Sequence, residues 1–168
     1  MAETQPEAWL RGQMEGYDPL VMPAVHALVQ AREDLESLVA VVPSDKVWEM
    51  PGGAASVGFH VRHLGGALDR LFTYARGEAL NDEQRAFAKG ESTPGATMAE
   101  LVNEAGAAID KALAQLRATK GADLLAPRQV GGKKLPTTTL GALFHAAEHS
   151  ARHAGQAITT AKILRGEG

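Results

Sequence analysis

Cysteine is absent from the 168 residues, and that absence excludes disulfides, thiolate metal sites, CxxC redox chemistry and a cysteine nucleophile together. Aromatic residues are scarce, at 5%, and no sustained alternation of Val, Ile, Thr or Tyr marks a half-buried strand. A strong charge of either sign is missing too. Lys and Arg number 17 against 20 Asp and Glu, a formal charge of -3, which argues against a chain built to grip nucleic acid or an anionic membrane. No apolar run approaches the ~18 residues of a membrane span. The opening MAETQPEAWL is too acidic and polar for a secretory signal. Hydrophobic residues at 45% suffice for one real core, so wholesale disorder is excluded. The expectation is a cytoplasmic, soluble single domain over residues 19–168. An N-terminal arm, residues 1–18, precedes it, punctuated by Pro6, Gly12 and Gly16.

Helical periodicity recurs four times at length. The first segment runs from about Leu20 to Val42, with Val21, Val25, Leu28, Leu35, Val39 and Val42 near one face and Pro23 in the tolerant first turn. The second opens at Ser56 as N-cap and closes at Gly77. A short extra helix is predicted over Asn81 to Lys89. The third long helix begins at the capping box Thr97/Glu100 and runs to about Thr119. After a polar loop with Pro127, Gly131, Gly132 and Pro136, Thr138 or Thr139 caps the fourth, which continues to Arg165. Its apolar arc reads Leu140, Leu143, Phe144, Ala147, Ala151, Ala154, Ile158 and Ala161. The fold class is therefore all-α: a four-helix bundle with a short extra helix between the second and third long ones.

Histidine is what the sequence concentrates. His60 and His63 lie three apart on the second long helix, and His145, His149 and His153 are each four apart on the last. Residues three or four apart are neighbours on a helix surface, so either set can present two imidazoles to one ion. Imidazole suits zinc, nickel, copper and iron. His145 and His153 are separated by roughly 12 Å of axial rise, too far to share an ion. A site would thus take one adjacent pair from the last helix and a partner from elsewhere. The plainer reading is surface histidines that share helical spacing by chance, and spacing alone leaves both standing. His26 falls opposite the apolar face of the first helix, where solvent exposure is expected. Gly65 and Gly66 cost helix stability and point to a close helix approach or to cleft room. Arg70 and Tyr74 share the stripe of His60, His63 and Ala67, either lining the same cleft or forming a solvated face. Glu148 and Arg152 read as a surface pair. GGKKLPTTT fails the phosphate-loop spacing, and Ser150 lacks a nucleophile elbow.

HSARHAGQ, His149 to Gln156, resembles the H-x-x-x-H-x-G-Q segment in the last helix of the DinB/YfiT-like metalloprotein superfamily. SVGFHVRHL, Ser56 to Leu64, is similar to that family's second-helix signature, and VWEMPGG before it resembles the family's Trp-Pro approach to that helix. The likeness covers about residues 20 to 165. It implies an antiparallel four-helix bundle with a three-histidine divalent metal site whose ligands are His63, His149 and His153. His60 and His145 are extra histidines beside the pattern, candidates to hydrogen-bond the ligands or replace one of them. Gln156 either bonds water at the ion or fills polar space between helices.

Three function classes follow. The leading one is a metal-dependent enzyme acting on a small molecule, with one divalent ion per chain, nickel or zinc. Three protein ligands and an open position can acidify a bound water or stabilise a thiolate. The resemblance implies the thiolate route more than the water route, since relatives include S-transferases and isomerases that use a low-molecular-weight thiol such as bacillithiol or mycothiol; others are described as metal-dependent hydrolases. The alternatives are a non-catalytic metal-binding stress-response module and a scaffold bundle with incidental histidines. The resemblance also implies a homodimer.

Overall fold

The computed structural model describes residues 5–166. Five helices carry it: α1 (Met22–Val41), α2 (Val57–Ala75), the short α3 (Asp82–Gly90), α4 (Met98–Ala118) and α5 (Thr139–Leu164). They form an all-α bundle in which α2 packs on α4 and α5, and α1 packs on the same two. Branched aliphatic side chains from every long helix fill the centre, among them Val25, Leu28, Leu35, Val61, Leu64, Leu68, Leu101, Ile109, Leu116 and Leu143, all essentially inaccessible.

The helix starts follow from local chemistry. Ser56 accepts from the Phe59 amide and Thr138 from the Gly141 amide. Asn81 with Gln84 and Thr97 with Glu100 close reciprocal capping boxes, so orphan amides at these ends are satisfied before any tertiary contact forms. The loop before α2 is tied down as well. The Gly58 amide donates to the Val47 carbonyl at 2.8 Å, and the Trp48 indole N–H reaches the Ala96 carbonyl at 2.9 Å. A Cβ at Gly58 would stand 2.9 Å from the Trp48 ring, so this glycine is what lets the loop fold onto the helix.

Four expectations need correction. The polar loop after α4 contains a two-stranded antiparallel hairpin, β1 (Pro127–Val130) with β2 (Leu135–Thr138). Its two prolines hid it, yet a two-stranded ribbon is all edge and accommodates proline. The buried face of α5 is rotated from the predicted arc: Leu140, Phe144 and Ala151 are exposed, while Ala146, Ser150, Ala157 and Leu164 are buried. On α1, Val39 is likewise exposed and Leu38 takes the core position. His26 is buried, not solvated, and its Nε2–H donates to the Gly12 carbonyl at 2.8 Å. The chain before α1 covers that flank: Ala8 is buried with its amide on Gln30 Oε1, and Arg11 pairs with Glu33 at 2.5 Å.

Candidate metal centre

α2 and α5 pack against each other, and their histidines meet at the contact. His63 Nε2 lies 3.0 Å from His149 Nε2. The ring centroids of His63 and His153 are 4.6 Å apart, and those of His149 and His153 4.5 Å. One nitrogen from each of His63, His149 and His153 falls within 4.8 Å of the others. These are the three positions implied by the resemblance, and the fold brings them together although His63 and His149 are 86 residues apart in sequence. All three rings are half-buried. His60, more deeply buried, places Nδ1 3.1 Å from His153 Nδ1. It stands behind His153 rather than within the three-nitrogen group. His145 is exposed on the far turn, with Nδ1 3.5 Å from Glu148, and nears the cluster only through His149, with ring centroids 5.5 Å apart. Gln156 is exposed and makes no hydrogen bond to the imidazoles.

The family comparison agrees with this geometry. The model of the DinB superfamily matches residues 27–157, most of the chain. The protein belongs to the DinB superfamily. Among solved structures, a conserved protein from Enterococcus faecalis has a similar fold, with a TM-score of 0.71 at 20% sequence identity, covering 87% of this chain and 97% of that one. No curated protein matches the chain.

The electrostatics of this DinB-superfamily cluster favour neutral rings. His153 is lowered to about 3 and His149 to about 4, first by burial and then by the neighbouring His63. His60 is lowered as well, by burial and then by His63. Adjacent imidazoles in a partly dry site cannot all carry charge, so at neutral pH these offer lone pairs rather than protons. His149 Nδ1 is buried with no hydrogen-bond partner. Three imidazoles crowded together, two of them held neutral by burial and one with an orphaned polar atom, fit a borderline divalent cation.

Sequence reasoning missed a carboxylate and an aromatic ring here. Glu91, immediately after α3, is buried, and its Oε2 accepts from His63 Nδ1–H at 2.7 Å. Its Oε1 accepts from Arg70 at 2.7 Å. Burial pushes this carboxyl up, but the bonds from His63 and Arg70 outweigh it and hold it below the usual carboxylate range. Of the two stripe residues left open on α2, Arg70 therefore joins the site through Glu91; Tyr74 makes no such contact. Phe59 stacks on His63, with centroids 5.2 Å apart. Glu148 and Arg152 form the expected surface pair. Ser150 Oγ–H donates to the Ala146 carbonyl one turn back, an ordinary helical bond.

Proposed function

We propose that this chain is a metal-dependent enzyme of the DinB superfamily. It acts on a small-molecule substrate with one divalent ion, nickel or zinc, held by His63, His149 and His153. The observation that carries this reading is the convergence of three imidazole nitrogens within 4.8 Å of one another. When bound, the ion supplies Lewis acidity, which lowers the pKa of a thiol or of water at an open position. The protein's own part is to hold the rings neutral and fixed. Burial keeps His149 and His153 unprotonated at pH 7, and the hydrogen bonds of His60 and Glu91 restrict ring rotation. The described residues at the cluster include no nucleophile on a helix elbow, which supports an external nucleophile. Thiol transfer or isomerisation is preferred over hydrolysis because the family resemblance implies it; an external nucleophile alone fits either. An antiparallel four-helix arrangement of α1, α2, α4 and α5 belongs to the same proposal. So does a homodimer, which would scatter light with about twice the 17.7 kDa mass of one chain.

Metal analysis of protein purified without a polyhistidine tag tests the site directly. About one divalent ion per chain is expected, with His149→Ala and His153→Ala each retaining less than about a tenth of that. Full retention in either variant overturns the assignment. Metal-dependent conjugation of a small thiol to an electrophile then separates an enzyme from a passive metal binder.

A further inference from the structure

α2 presents His63, Gly66 and Arg70 along one stripe, and a buried carboxylate lies across all three. Glu91 reaches this position from the end of α3, and the glycine makes room for it. A Cβ at residue 66 would stand 2.4 Å from Glu91 Oε1 and 2.6 Å from the Phe87 ring. Both carboxylate oxygens are committed, Oε1 to Arg70 and Oε2 to His63, each at 2.7 Å. With Oε1 paired to the Arg70 guanidinium, the carboxylate meets the imidazole as a hydrogen-bond acceptor. With a carboxylate oxygen 2.7 Å from it, His63 Nδ1 carries the proton of that hydrogen bond. That leaves the lone pair on Nε2, the nitrogen that faces His149 at 3.0 Å.

We propose that Glu91, anchored by Arg70 in the niche at Gly66, is a positioning residue that sets the tautomer and orientation of His63 so that Nε2 faces the metal centre. The inference rests on the reading that His63 is a ligand. It goes beyond that reading in assigning a carboxylate from outside the histidine helices to the site. Carboxylates that accept from the remote nitrogen of a liganding imidazole raise its basicity, and losing one typically costs 10–100-fold in metal affinity. A carboxylate that served only to tie α3 to α2 would need Arg70 alone, and the protonation of His63 would not depend on it.

Two measurements on the full chain decide this. Imidazole nitrogen NMR of the metal-free wild type at pH 7.5 should find His63 protonated on Nδ1, and Glu91→Gln should convert it to a mixture of tautomers. Zinc affinity, read by competition with a chromophoric chelator, should fall about 10–100-fold in Glu91→Gln. The smaller lesion Arg70→Gln, which leaves the carboxylate in place, should give a smaller loss. His63 protonated on Nε2 in the wild type overturns the proposal, and that arm needs no variant to fold. Wild-type zinc affinity in folded Glu91→Gln overturns it as well. A wild type that binds no zinc removes the metal-centre reading instead, and the tautomer then decides alone whether Glu91 orients His63.

Discussion

His149 and His153 stay neutral in the folded chain at a cost that depends on pH. Their values of about 4 and about 3 compare with ~6.5 for free imidazole. Below pH ~6.5 the unfolded chain takes up protons that the folded one refuses, so stability falls as pH falls, until the folded rings titrate in turn. Metal-free protein should therefore lose stability between pH 7 and pH 4. Discounted for half-exposed rings, the loss is on the order of 1–2 kcal/mol. His149→Gln/His153→Gln should show a shallower decline over the same range, and parallel melting-temperature profiles for the two proteins would refute this account. The H-x-x-x-H spacing made these residues legible, because a helix converts sequence interval directly into proximity. Glu91 was not legible. Its partner His63 is 28 residues away, and nothing in a Gly/Pro-punctuated loop distinguishes a buried carboxylate from a solvated one. The Gly65–Gly66 pair, costly on a helix, pointed to room beside α2 without saying what fills it.

At the scale of elements, local signals served well wherever the physics is local. The caps at Ser56, Asn81, Thr97 and Thr138 follow from side-chain oxygens bonding nearby amides. The buried face of α5 does not follow from its own sequence. Its large apolar residues Leu140 and Phe144 point outward, and alanines make up most of the buried face beside Leu143 and Leu164. A hydrophobicity wheel underweights alanine, although small side chains are what permit close approach. The glycines sort by the same logic. A Cβ at Gly65 would come 3.1 Å from the Ala105 backbone, whereas one at Gly155, an exposed interior position of α5, meets nothing within 4 Å. Gly65→Ala should destabilise by about 1–2 kcal/mol despite the better helix propensity. Gly155→Ala should stabilise by up to ~1 kcal/mol. Denaturant unfolding of both variants checks the pair, and shifts of the same sign would show that close packing of α2 on α4 does not govern Gly65.

For the whole molecule, the cluster bridges two helices that the apolar core already holds. Val61, Leu64 and Leu68 of α2 and Leu143 and Ala154 of α5 are buried without help from the histidines. The bundle should therefore fold metal-free, and no helix among the described residues is long and apolar enough to need a membrane. An ion on His63 and on the α5 pair would add to that core as a ligand of the folded state alone. At a free concentration a hundred times its dissociation constant it contributes ~2.7 kcal/mol, roughly 5–10 °C in a chain of this size. Melting wild type at pH 7.5 with excess zinc and with chelator should show that gap. Acidification should close it, as protons compete with the ion for the same lone pairs. His153→Ala should abolish the gap at any pH. His26→Ala supplies the contrast: it removes a buried ring and its bond to the Gly12 carbonyl, so both melting temperatures should drop while the gap between them persists. If His26→Ala closes the gap instead, the metal-linked stabilisation comes from general tightening of the fold and not from a bridge between α2 and α5.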